Sequence, residues 1–483
     1  MINPLHSAPA ANRAARDTRK RSLRLFNFGC LGLAALVAYY AVTTKVDDPI
    51  TLYQGLGILI LAFLPTLFWA RRGTSQLPVF AVFMLTTAST YAFPLLNGRA
   101  DLKAYPPDVV FSCGLIVLFF QLVTLATHTL VRGRPGRSRF YTAEVLSRPL
   151  QKYVMYGLGL ATVYTFWYVF YEDTIPYELN SVLRAVFYGL SIVCTFLQAR
   201  RWGQGDLSSR ERAILVLLIV AQVIMQFSTL LLVGGISILI LALIGYISGG
   251  RRFPIAPAVA LVALVALLHN GKSAMRARYW PTEGDHLQVA PTALVPFFTE
   301  WIGDGLTLRR TEGGQNVTKE LLDRTSLFQI LCLIVYNTPD RVPFLQGLTY
   351  GQIPAQFVPR FFWPGKPPGH ISTYTLAITY GLQTAEDTKS TTIGFGLLPE
   401  AYANFGYFGA GLLGLVAGAF YKKVEVATAR SPLLSYPGLF LVVLIAWSFQ
   451  TEFTLSIWLS SMFQACVAIM GIPFLVRNLL GLT

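Results

Sequence analysis

Residues 358–370 read VPRFFWPGKPPGH. Two cations, Arg360 and Lys366, flank Trp363 among four prolines, Pro359, Pro364, Pro367 and Pro368, and His370 closes the stretch. Proline fixes φ and removes an N–H donor, so this segment is neither a membrane helix nor a regular strand. It also costs less entropy to order. A cation pair pre-set beside an aromatic ring suits a phosphate next to a sugar. Arginine binds phosphate with a planar fork, and lysine binds it as a point charge. The plainer reading is an interfacial loop whose cations snorkel and whose tryptophan sits at headgroup level.

A second stretch, TTIGFGLLPEAYANFGYFGAGLLGL (391–415), passes from polar loop into an apolar run. Glu400, Tyr402 and Asn404 lie at its mouth, and glycines at 394, 396, 406, 409, 411 and 414 permit close backbone approach. A carboxylate at the edge of hydrocarbon is costly, which makes it a candidate for function. It would serve as a general base or orient a cation. The structural alternative is a salt bridge to a loop arginine.

Other cations precede these stretches: Arg276, Arg278, Arg309, Arg310, Arg324 and Arg341. Residues 270–399 carry 11 Lys/Arg against ten acids, a balance of +1, so most of these arginines are expected to be ion-paired or solvated. Arg276 and Arg278, in SAMRARYW, either grip a lipid headgroup or anchor a helix end. Asp47-Asp48 resembles the paired acids of an outer catalytic loop. It sits in a short segment with no room for a site, and reads as helix-flanking charge. The five cysteines form no CxxC and the five histidines show no metal-ligand spacing. No metal and no cofactor is therefore expected.

The elements that must position these residues are membrane helices. The chain is 54% hydrophobic and 13% charged, against roughly 25% charged in a soluble domain. A span needs about 20 mostly apolar residues. Apolar runs recur at 25–44, 50–70, 77–96, 108–131, 152–171, 182–199, 213–232, 234–250, 253–269, 401–421, 434–450 and 455–476, which predicts about twelve spans and an all-α polytopic membrane protein. The first run follows a basic tail, residues 1–24, with no small-residue cleavage site after it, and reads as an uncleaved span. With the N-terminus inside, 24 Lys/Arg fall on cytoplasmic segments and four on the short outer ones, as the positive-inside rule requires. The net charge of +15 is thereby explained without nucleic acid. Both termini are then cytoplasmic. A bundle of about nine spans covers 25–269, a long outer segment covers 270–399, and about three further spans cover 400–483. Within the outer segment, SLFQILCLIVYNTP (326–339) holds an apolar stretch too short to cross, read as a re-entrant or interfacial helix. LVPFFTEWIG (294–303) is amphipathic, with Trp301 suited to an interface.

VPRFFWPGKP, followed about 30 residues later by GFGLLPEAYANFGYFGAGLLG, resembles the Wzy-type oligosaccharide repeat-unit polymerases of bacterial surface polysaccharides. The match covers about 60 residues, 350–410, and the rest agrees in layout. The resemblance implies a GT-C-like glycosyltransferase architecture in the bacterial inner membrane with one large periplasmic loop. It implies metal-independent transfer of a glycan from undecaprenyl diphosphate to a sugar hydroxyl on a second lipid-linked repeat. Arg360 and Lys366 would stabilise the departing diphosphate, and Glu400 would take the acceptor's proton. Arg276, Arg278, Arg309, Arg310, Arg324, Arg341, Trp363, His370, Tyr402 and Asn404 are the candidate substrate contacts. Implied partners are the lipid-linked oligosaccharides, a chain-length regulator and a flippase. Two rivals share the donor: a lipid-glycan ligase of the O-antigen ligase type and a lipid-linked oligosaccharide flippase. A transporter would place its charges within spans, and here nearly all sit in loops.

Overall fold

The structure is a computed structural model describing residues 8–43, 46, 48–72, 77–98, 100–138, 141, 153–230, 232–251, 254–279, 289–311, 326–360, 362–390 and 392–479. In chain order the α-helices are α1 (Ala8–Thr43), α2 (Pro49–Arg72), α3 (Val79–Thr87), α4 (Phe93–Leu96), α5 (Pro107–Leu130), α6 (Tyr153–Phe170), α7 (Tyr177–Gln204), α8 (Ser209–Ser228), α9 (Leu232–Ser248), α10 (Ile255–Tyr279), α11 (Leu294–Thr311), α12 (Leu327–Asn337), α13 (Ile353–Phe357), α14 (Ile371–Thr379), α15 (Asp387–Ser390), α16 (Leu397–Thr428), α17 (Tyr436–Ser448) and α18 (Leu455–Leu479). No strand occurs among the described residues.

Six helical stretches among the described residues are long and apolar enough to cross a bilayer: Ser22–Thr43, Pro49–Arg72, Val79–Leu96, Pro107–Leu130, Ser209–Ser228 and Leu397–Thr428. Shorter apolar helices occupy Gly234–Ser248, Ala256–Lys272, Leu327–Asn337, Tyr436–Ser448 and Leu455–Gly471. The chain is a helical membrane protein. The expected runs at 152–171 and 182–199 are helical as α6 and α7. The chain divides into two compact units that interleave in sequence: Met1–Gly136, Thr325–Gln346 and Gly396–Ala429 in the first, and Arg137–Arg324, Gly347–Phe395 and Arg430–Thr483 in the second.

In the first unit α5 and α16 form the closest seam. A Cβ built at Gly414 would lie 3.0 Å from the Phe120 carbonyl oxygen, and one at Gly418 would lie 2.4 Å from that of Thr124. Glycine is what lets these two backbones touch, and in lipid such close packing substitutes for the hydrophobic effect. Buried amides add polar clips. Gln121 Nε2 donates to Thr87 Oγ1 at 2.6 Å and to the Ile58 carbonyl at 3.2 Å, and Gln54 Nε2 donates to the Phe111 carbonyl at 2.9 Å. Each such clip contributes about 0.6–2 kcal/mol. Between α3 and α4 the helix loosens into a π turn, Ala88–Ala92. Pro94 lacks the N–H that would continue the ladder, and Thr86, Thr87, Ser89 and Thr90 all donate hydroxyls back to main-chain carbonyls.

The second unit uses the same devices. Gly271 and Gly305 bring α10 and α11 together, their Cβ positions 2.7 Å from the Trp301 carbonyl oxygen and 2.3 Å from that of Leu267. Trp301 is fully buried there and donates its indole N–H to the Leu268 carbonyl at 2.6 Å. The sequence suggests an interface anchor; the two glycines instead admit the ring between helices. Ser191, Gln222 and Thr162 form a buried polar chain across α7, α8 and α6, at 2.5 and 2.8 Å.

The long helix α16 is broken at Phe405 (φ −141°, ψ 15°) and Gly406 (φ 60°, ψ −141°). Freed carbonyls would be costly inside a membrane protein unless re-paired. Ala403 and Asn404 are re-paired by the backbone N–H groups of Leu345 and Gln346, at 3.0 and 3.1 Å. Gly406 adopts a conformation nearly closed to L side chains, and a Cβ there would meet the Phe344 ring at 3.0 Å. Gly406→Ala is expected to cost about 1–3 kcal/mol and to lower the thermal midpoint of the detergent-solubilised protein by several degrees. Gly32→Ala, whose Cβ meets nothing within 4 Å, should leave that midpoint unchanged. Equal midpoints for the two variants would refute the account of the break.

Candidate active site

The cation–proline segment belongs to the second unit and folds onto itself. The Pro359 carbonyl accepts from the N–H groups of Phe362 and Trp363 at 3.0 and 3.2 Å, and that of Trp363 accepts from Lys366 N at 3.2 Å. Both cations bind the segment's own backbone. Arg360 Nη1 donates to the Pro364 and Lys366 carbonyls, each at 3.4 Å, and Lys366 Nζ donates to Val358 O at 2.8 Å. Gln356 staples the far end through Pro368 O at 3.3 Å. Trp363 and Phe362 stand exposed beside the cations. Burial, and then the neighbouring Arg360 guanidinium, hold the Lys366 pKa below the ordinary lysine value. Two like charges are thus kept adjacent by loop carbonyls. An anion placed between them would relieve that repulsion.

Because the folded pKa of Lys366 is depressed, the ammonium loses its proton at a lower pH than a free lysine does. Affinity for pyrophosphate should therefore fall as pH rises through that depressed value, below the ordinary lysine range. Lys366→Arg keeps its charge there, so its affinity should hold to higher pH. Calorimetric titration across pH checks this, and superimposable profiles would contradict it.

His370 occupies the residue before α14 and lies half-buried, with Tyr374 6.1 Å away between ring centroids. Its pKa is lowered by burial and then by Arg184. Near neutral pH it is therefore an uncharged imidazole, suited to a hydroxyl rather than to a phosphate charge. Arg184, on α7, joins this neighbourhood and also donates to Tyr168 Oη at 3.3 Å. It was not a candidate in the sequence, because it sits almost two hundred residues earlier as one cation at the start of an apolar run. Glu452 is a second overlooked group: its Cβ would lie 2.7 Å from a Cβ on Gly394, and its neighbour Thr454 meets Thr373 of α14 at 3.4 Å. A lone acid between two apolar runs was its sole mark.

Glu400 belongs to the first unit. It lies in the first turn of α16 and is 0% exposed. The N-terminal end of a helix favours negative charge. Asn404, also 0% exposed, sits one turn on and donates Nδ2 to the Glu400 carbonyl at 2.8 Å. Tyr402 packs edge-on between Phe344 and Tyr407. The break at Phe405–Gly406 follows at once, so Glu400 and Asn404 sit on a separate two-turn piece of helix. The short helix α12 packs against α16 and α5, with Phe328, Leu331, Cys332 and Ile334 fully buried.

The remaining arginines part company. Arg278 is ion-paired with Glu300 and Asp304 of α11, and Tyr279 Oη donates to Glu300 at 2.5 Å. Arg341 lies over the Tyr336 ring at 4.5 Å and donates to its hydroxyl at 3.1 Å. Arg276, Arg309 and Arg310 lie on α10 and α11, with side chains outside the described ones, and Arg324 lies outside the described residues. No cluster of metal-ligating side chains occurs among the described residues. Comparison with models of known protein families, with curated proteins and with solved structures finds no match.

Proposed function

We propose that the protein is a polysaccharide polymerase. It joins undecaprenyl-diphosphate-linked repeat units at the periplasmic face of a bacterial inner membrane, on a GT-C-like frame of about twelve spans with both termini cytoplasmic. The observation that supports this best is the ordered loop holding Arg360 and Lys366 adjacent beside exposed aromatic rings. In the reaction the acceptor hydroxyl oxygen bonds to the donor's anomeric carbon. The bond from that carbon to the diphosphate breaks, and the electron pair leaves with the lipid diphosphate. Arg360 and Lys366 offset the developing charge, and Glu400 takes the hydroxyl proton. The energy resides in the bond between the glycan and the diphosphate, so the reaction needs no nucleotide.

The test is purified protein in a bilayer with lipid-linked repeats. A ladder of lengthening lipid-linked glycans with release of undecaprenyl diphosphate is expected. Transfer to an unrelated acceptor alone would indicate a ligase, and crossing without bond formation a flippase; either would overturn the proposal. Reporter fusions at Arg139 and Asp304 should fall on opposite sides of the membrane. Both on one side would remove the periplasmic placement.

A further inference from the structure

The end of the first unit that carries Arg71, Arg72, Lys422 and Lys423 holds a cavity of about 100 Å³. Its walls come from α2, α3, α5 and α16, and Arg72, His128 and Glu425 supply its charge and polarity, beside Phe68, Trp69 and Phe80. His128 Nε2 lies 2.9 Å from Glu425 Oε2, and the Phe80 ring lies flat on the imidazole, 3.8 Å between centroids and 5° off parallel. One oxygen of the carboxylate is thereby held by the imidazole, and Glu425 lines the cavity. Arg72 makes no ion pair among the described residues, yet it lines the same space. One anionic and one cationic group thus face a single small cavity.

We infer that this cavity binds a phosphoethanolamine headgroup, the ammonium on Glu425 and the phosphate on Arg72. A purely anionic headgroup would meet the carboxylate, and a purely cationic one would leave Arg72 unmatched. A choline group has no N–H to donate to the carboxylate. The source is a membrane lipid rather than a free metabolite. Phe68 in the cavity wall is 41% exposed, and Leu130, at the adjoining end of α5, is 77% exposed, so apolar surface continues from the cavity as acyl chains require. The segment 131–136, with Arg132 and Arg134, runs along the end of α16, where Gly136 N donates to the Ala427 carbonyl at 3.1 Å. That end is basic all round, as a phosphate-lined membrane face demands. None of this depends on the polymerase reading.

The full-length protein is equilibrated with vesicles of equal parts phosphatidylethanolamine, phosphatidylglycerol and phosphatidylcholine. The lipids that stay bound are then counted by native mass spectrometry. Phosphatidylethanolamine should be retained about tenfold over phosphatidylcholine, the scale of one charge-assisted contact. Glu425→Gln still accepts from His128 but has lost its charge, and should bring the two to parity. Arg72→Ala, an exposed change at the rim, should lower retention of every phospholipid and serves if Glu425→Gln does not fold. Equal retention by the wild type would overturn the inference, and so would unchanged selectivity in Glu425→Gln. Displacement of the lipid by equimolar soluble glycerophosphoethanolamine would overturn the lipid source.

Discussion

Glu400→Gln is expected to lose most chain extension, about 10²–10⁴-fold as befits removal of a general base, while still inserting and binding the lipid-linked donor. The amide is isosteric and keeps the hydrogen-bond acceptor. The α16 break, the Asn404 bond to the Glu400 carbonyl and the pairing of Leu345 and Gln346 do not use the carboxylate at all. The fold should therefore survive. A base gives a rate that declines as acid protonates it, and the Gln variant should lack that limb. If Glu400 instead serves to hold an arginine, the amide still accepts. Activity would then persist and donor affinity would drop. A near-normal rate with an unchanged pH profile in Glu400→Gln would remove this carboxylate from the chemistry. The same assay on Glu452→Gln then asks whether the second carboxylate takes its place.

Arg360→Ala should slow transfer ten- to a hundredfold, since one charge-assisted contact is worth about 1.5–3 kcal/mol. Arg360→Lys should be nearly as harmful. The guanidinium reaches two carbonyls of its own loop, Pro364 and Lys366, through Nη1, and its donors form a rigid planar fork that matches a phosphate, where an ammonium is a point charge. A lysine ammonium at that place would be spent on the carbonyls or on the phosphate. A change in kcat with little change in KM would mark a contact made in the transition state. A rise in KM alone would mark uniform binding, and wild-type polymer lengths from Arg360→Ala would refute the assignment.

The long apolar runs were legible because a span is a composition over about 20 residues. So was the short helix over 326–339, whose apolar stretch cannot cross. The glycines at 411 and 414 announced close packing, though not that α5 would be the partner. The break at Phe405–Gly406 was illegible, since the apolar run continues straight through it. Its one mark was glycine after Asn-Phe, the pattern of a helix end placed inside a span. Long-range electrostatics were the hardest to see. Arg278 is tied to Glu300 and Asp304, which share a face of α11 by their four-residue spacing. Only the hairpin of α10 and α11 brings that face to the arginine. Arg184 and His370 meet by the same kind of fold-level accident, and no local pattern could join them.

The self-bonded loop around Arg360 and Lys366 has a consequence for turnover. It needs no rearrangement to present its cations, so on the proposed reading the charge it meets as the glycan leaves is still held once the diphosphate is free. Spent undecaprenyl diphosphate is then a competitive inhibitor of the next donor. A polymerase of this kind would slow as spent carrier lipid accumulates in the membrane around it.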